Sequence, residues 1–412
     1  LKVVTTPWLG GRHHYFLHDL PICPFSELIL SMIKTLKTFA FHLPSLSVGL
    51  TFFTLSMLFG SWLARLPEVQ ARLMLSEGQL GLALLGLPVG ALLMMPLAGW
   101  LSARLSSGQA MTLSTLLFCG VFPLPAFAQG PYSLFAGLLL IGFVNSFMNI
   151  SMNAAAAAVE RHYHIAIMSV CHGMFSLGAM VGAGSSGLIA SLGVSLQVHL
   201  ITVALLMVGL HLLLRPVIHS LPSAPAENNG LSIPPRALLG LAFIGFCIMI
   251  GEGAIADWSA IFLRKELQAG PFIAGLAYAG FSMAMAIGRF MGDGIRLQLG
   301  LGKAVTMGSL LGAAGLLLAI LAPLPVLSVL GFTIVGLGFS TVVPLLFSAA
   351  ANTPGVSAGN GIAAVASSGV IGFLVAPPLI GLISDHFGLA LGLGFVVVLA
   401  VLASVTARSI KA

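Results

Sequence analysis

The chain has 412 residues, 58% of them apolar and only 7% charged, with Lys and Arg (17) outnumbering Asp and Glu (11). A soluble domain carries about 25% charged residues, so the composition excludes a water-soluble globule, and a collagenous, coiled-coil or disordered chain with it. It describes a protein that crosses a bilayer many times.

In chain order, residues 1–42 form an N-terminal extension outside the membrane pattern. Its first 31 residues hold His13-His14 and mixed charge but no span-length apolar run. Met32, just ahead of Lys34 and Lys37, is the expected native start. Beyond it the apolar runs are long and do not alternate, which predicts helices rather than an outer-membrane barrel. One span needs about 20 apolar residues. Spans 1 and 2 are expected at 45–65 and 79–103, then two spans in 105–159 with a hairpin at Gln129-Gly130-Pro131. Two more fill 162–214, turning near Gly193. Spans 7 and 8 fall at 237–263 and 272–294, three lie in 304–384, and the twelfth is at 387–408. Basic residues collect on the cytoplasmic side. With both termini inside, only Arg65, Arg72, Arg264 and Lys265 from Lys34 onward face outward. The net charge of +6 is thereby a matter of topology and implies no nucleic acid. Cys23, Cys119, Cys171 and Cys247 show no close spacing, so neither a disulfide framework nor a zinc site is expected.

The second half repeats the first. Gly81-Leu82-Ala83 in span 2 returns as Gly275-Leu276-Ala277 in span 8, displaced by 194 residues. The same displacement takes Gly142 to Gly336, Ser146 to Ser340, Gly178 to Gly372 and Gly187 to Gly381. Trp62 and Trp258 match with a two-residue indel between them. Six spans repeated in parallel is the plan of the major facilitator fold. The expected division is a first bundle at 43–216, a cytoplasmic linker at 217–236 and a second bundle at 237–412, making an all-α membrane protein.

Gly60-Ser61-Trp62 with Arg65 and Pro67, then Leu75-Ser76-Glu77, and Glu252-Gly253 with Asp257-Trp258 in span 7, resemble bacterial major facilitator proteins near the fucose permease branch. The resemblance spans roughly 43–408. It implies an inner-membrane transporter with a cytoplasmic latch in the loops after spans 2 and 8. Gly99 to Ser106 is similar to the signature loop, with Arg104 kept and its acid replaced by Ala103. The loop after span 8 keeps Arg289, Asp293 and Arg296, spaced to meet on one helix face. In fucose-permease-like proteins an acid in span 4 assists coupling or sugar binding; here Asn149-Ile150-Ser151-Met152-Asn153 has none.

An acid at mid-depth is costly unless paired or neutralised, so Glu252, between Gly251 and Gly253, is the leading proton-coupling residue. Asp257 lies five residues on, about 140° around a regular helix, and caps the outer gate or anchors the interface together with Trp258. His172 in span 5 is a second titrating candidate. Asn145, Asn149 and Asn153 form an amide stripe on span 4, suited either to the hydroxyls of a solute or to joining helices. Trp258 completes the expected solute contacts.

No phosphate-binding loop, soluble domain or hydrolase motif is present, so neither an enzyme nor a nucleotide-driven pump is expected. Secondary active transport by alternating access remains: a small polar solute, a sugar or related metabolite, moved with protons. The expected partners are that solute, protons and the bilayer, with the chain acting as a monomer, without cofactor or metal. Span 5 holds Gly178, Gly182, Gly184 and Gly187 but lacks the proline usual in drug–proton antiporters. Drug or metabolite efflux, and a transporter-like receptor that binds without moving its solute, are the alternatives.

Overall fold

The computed structural model describes residues 37–102, 104–223 and 233–409, apart from a few side chains within helices, Asp293 among them. The extension before residue 37 with Met32 and Cys23, the linker portion 224–232, and the Asp293 side chain thus lie outside the described residues. Twelve helices are long and apolar enough to cross a membrane, and no strand occurs among the described residues. Spans 1 to 6 are Leu43–Leu63, Glu77–Leu97, Ser107–Phe127, Pro131–Tyr163, Met168–Ser191 and Leu196–His219. Spans 7 to 12 are Arg236–Lys265, Pro271–Arg289, Leu301–Leu321, Pro325–Ala351, Ala358–Phe387 and Leu389–Ala407. A connecting helix, Leu66–Leu73, follows span 1.

Local chemistry sets the helix limits. Ser76 and Ser106 start spans 2 and 3 with capping boxes completed by Gln79 and Gln109. Pro131, Pro271 and Pro325 open spans 4, 8 and 10 at positions whose N–H would have no helical partner. Two spans are divided into separate α-helices: span 2 breaks at Leu85 and span 10 between Phe339 and Val342. Pro88 and Pro344 explain both, because neither can donate to the carbonyl four residues earlier.

An even number of spans returns the chain to the face where it began, here termed the terminal face; the opposite one is the far face. The helices form two six-helix bundles around a largely continuous apolar core. Within the first, span 1 packs on span 5 and span 4 on span 2; within the second, span 7 packs on span 11 and span 10 on span 8. Between the bundles, span 5 crosses span 8 and span 2 crosses span 11.

Candidate functional site

The bundles meet most tightly toward the far face. At the crossing of spans 2 and 11, Gly81 lies on the Pro377 carbonyl and Gly381 on that of Glu77. At the crossing of spans 5 and 8, Gly275 lies on the Ala183 carbonyl and Gly187 on that of Pro271. Each pair becomes the other when 194 residues are added or removed, so the two crossings are one contact made twice. A side chain at any of these glycines would run into backbone.

Polar contacts close the same end. Lys265, at the end of span 7, is ion-paired with Glu77, at the start of span 2. The Ser76 hydroxyl donates to Asp385 of span 11 at 2.9 Å while accepting from Gln79 N–H. One cap residue thereby starts a helix and joins the two bundles.

Beneath this seal lies a polar cluster. Tyr278, Ser282, Met285 and Arg289 recur at steps of four, three and four along span 8, the spacing of a single helix face. The other side of span 8 carries the exposed Phe272, Met283 and Ile287, as a lipid-facing surface does. Tyr278 stacks on Phe281, with centroids 5.9 Å apart, and packs on Ala64, Ala183 and Ala279. Its phenol lies within the electrostatic reach of Glu252, Asp257 and Arg289. Arg289 in turn lies within electrostatic range of Glu252 of span 7 and His172 of span 5, one group from each bundle.

Glu252 sits half-buried at the midpoint of an unbroken helix. Its glycine neighbours serve close packing rather than unwinding: Gly251 faces Phe339, and Gly253 faces Phe373 and Ala376. Asp257, also half-buried, therefore projects about 140° away from Glu252. His172 is exposed near the terminal end of span 5, with its ring 5.4 Å from that of Phe52. Trp258 is fully buried and its indole N–H has no partner.

Along span 4, Asn149 is exposed and Asn145 and Asn153 are half-buried. Asn153 donates to the carbonyl and side-chain oxygens of Asn149 at 2.8 and 3.0 Å, whereas the Asn145 side-chain oxygen is buried without a partner. The basic residues expected in the latch make the following contacts. Arg104 lies over the Trp100 ring at 4.1 Å, Arg296 bonds Ser348 of span 10, and Arg289 belongs to the central stripe. Among the described residues, no group of His, Cys, Asp and Glu is placed to hold a metal.

Sequence reading missed the far-face contacts of Ser76, Glu77, Lys265 and Asp385, whose partners are 188 and 309 residues apart. It also missed Tyr278. The step from Tyr278 to Arg289 was available as a helix-phase signal that places both on one face.

Two bundles of six spans, joined through repeated helix crossings, define a membrane transporter of the two-bundle type. The model of the Major Facilitator Superfamily matches residues 45–356, and the chain belongs to that family. It is 32% identical over 364 residues to an uncharacterized MFS-type transporter of Yersinia pestis, a match covering 88% of this chain and 95% of that one. It is 30% identical over 361 residues to membrane protein MosC of Rhizobium meliloti, covering 86% and 87%. Among solved structures it resembles the nucleoside transporter NupG, with TM-score 0.66 and 18% identity over 90% of this chain and all (100%) of that one. It also resembles a D-xylose-proton symporter, with TM-score 0.69 and 14% identity over 88% and 97%.

Proposed function

We propose that this chain moves a small polar solute, a sugar or related metabolite, across a cell inner membrane by alternating access coupled to protons. The observation that carries the reading is a mid-membrane carboxylate, Glu252, lying beneath a seal between two bundles. A charge at that depth is expensive and marks a functional site. The bundles at 43–216 and 237–412 rock about it, the linker 217–236 joins them, and both termini face the cytoplasm. Glu252 exchanges its proton between the two sides as the seal opens and closes. Asn145, Asn149 and Asn153 offer donors and acceptors to the solute. The glycine motifs of spans 1 and 7 support a place near the fucose permease branch, and fold neighbours that carry nucleosides or D-xylose with protons agree with a polar solute.

The test is accumulation of labelled solute in proteoliposomes under a pH gradient. Glu252→Gln mimics the neutral acid, so exchange of solute across the membrane should survive while gradient-driven accumulation is lost. Asp257→Asn, nearer the far face, should reduce coupling less. Intact accumulation in Glu252→Gln refutes the coupling role. Saturable binding without accumulation in the unaltered protein would make it a receptor.

A further inference from the structure

Two separate observations bear on the charge of the solute. On the far face, a groove of about 900 Å³ runs between the bundles, lined by Arg65, Arg72, Arg264 and Lys265 against a single acid, Glu68. These are the four basic residues that the topology leaves on that side, where basic residues are otherwise disfavoured. All of them meet in one recess. Ala190, Pro271 and Ala274, from the crossing of spans 5 and 8, belong to the same lining, so the recess adjoins the seal.

Two of these charges have no carboxylate partner. Arg72 donates to the carbonyls of Ala126, Pro125 and Ala128, and Arg264 to that of Ala269. Arg65 is 2% exposed, pairs with Glu68 at 2.6 Å and bonds the Val194 carbonyl at 2.8 Å, yet its Nη1 is buried without a partner. On the other side of the seal stands Arg289. Among the described residues it makes no hydrogen bond or ion pair, although it is half-buried at the terminal-face end of span 8. Glu252 lies within its electrostatic range, but among the described residues no direct ion pair occupies the guanidinium, whose donors are left for an incoming anion.

We propose that the solute is a small organic anion, a carboxylate or phosphate ester, gathered by the far-face groove and held beyond the seal by Arg289. The proposal rests on the transport reading above. A guanidinium presents a planar fork of donors that matches either group. A cleft lined by one sign of charge concentrates counter-ions and speeds their arrival. The amides of span 4 are left for the hydroxyls of the same molecule.

Matched pairs test it: D-glucose with D-gluconate, and glycerol with glycerol 3-phosphate. Each is titrated against the purified full-length protein in neutral detergent while the unfolding midpoint is read. At least one anion should raise the midpoint where its neutral partner does not. Arg289→Gln should weaken that anion about tenfold or more, as for one charge-assisted hydrogen bond, and Arg289→Lys should retain part of the effect. The double variant Arg72→Gln with Arg264→Gln, on exposed side chains, should slow association and flatten its salt dependence.

Neutral partners that act equally, silence of both anions, or an Arg289→Gln protein that binds as before would each overturn the assignment. If Arg289→Gln does not fold, an unchanged association rate in the double variant decides against it. Nanodiscs of phosphatidylglycerol and of phosphatidylcholine separate the two sources of anion. Stabilisation by phosphatidylglycerol alone would make the groove a headgroup site and defeat the solute assignment. Anion binding that depends on Arg289, but without accumulation in proteoliposomes, would sink the transport reading and leave this one standing. Accumulation of a neutral solute alone would do the reverse.

Discussion

Gly142 and Gly336 hold equivalent places in their bundles. Gly142 lies on the Leu87 carbonyl and Gly336 on that of Phe281, so the glycines and their partners are both displaced by 194 residues. Only a residue without a side chain lets span 4 reach span 2, or span 10 reach span 8, at these points. Gly142→Ala and Gly336→Ala should each destabilise the chain by about 1–3 kcal/mol through overpacking. Gly120 supplies the contrast, being exposed on span 3 with open space around its Cβ position. Gly120→Ala should be neutral or stabilising by about 0.5–1 kcal/mol, since alanine favours a helix interior. Thermal unfolding of the three variants in detergent checks the order, and equal midpoints would show that the crossings relax freely. These glycines were legible in the sequence because a backbone contact allows only one residue type. Arg289 was harder to read. Its spacing to Asp293 suggested a loop latch and its spacing to Tyr278 a place on the central stripe, and both spacings put it on the same helix face, so periodicity alone could not assign its partner.

At the scale of the element, the start of span 2 is the most heavily used segment of the interface. Within six residues, Ser76 caps the helix and bonds Asp385, Glu77 pairs with Lys265, and Gly78 and Gly81 admit span 11. The ion pair is half open to solvent, with Lys265 47% exposed and Glu77 19%. A pair of that kind is worth about 0–1 kcal/mol. Glu77→Gln should therefore favour the far-open state by no more than about fivefold, the equivalent of about 1 kcal/mol. Glu77→Lys places two cations together and should open the far face further, and combining it with Lys265→Glu should restore the original balance. Labelling of Ala279→Cys, buried at the adjoining crossing, by a membrane-impermeant maleimide from the far side reports the change. A double reversal that labels like Glu77→Lys alone would deny the pair any role. The ion pair and the Ser76–Asp385 bond were not legible beforehand, because exposed charges beside loops carry no periodic signal and their partners lie in the other half of the chain. The span limits, by contrast, were readable from apolar run length and from the turns at Gln129-Gly130-Pro131 and Gly193.

For the whole molecule, the two crossings have a mechanical consequence. Spans 2 and 5 belong to one bundle and spans 8 and 11 to the other, so each bundle supplies one helix to each crossing. If the bundles move as rigid bodies, neither crossing can open while the other is held. Gly78 and Leu382 face each other across the crossing of spans 2 and 11, with the Leu382 side chain 3.4 Å from a Cβ built on Gly78. In a chain whose native cysteines are replaced by serine, Gly78→Cys and Leu382→Cys should be joined by a short bifunctional cross-linker. The joined protein should lose transport. It should also lose labelling at Ala279→Cys, which lies at the other crossing, beside Ala183 and Tyr278. A cleavable linker makes the loss reversible and separates it from misfolding. If Ala279→Cys stays reactive while spans 2 and 11 are tied, the crossing of spans 5 and 8 opens by itself. The bundles would then flex internally, with the broken helices of spans 2 and 10, at Leu85 and at Ser340-Thr341, as the places where they bend.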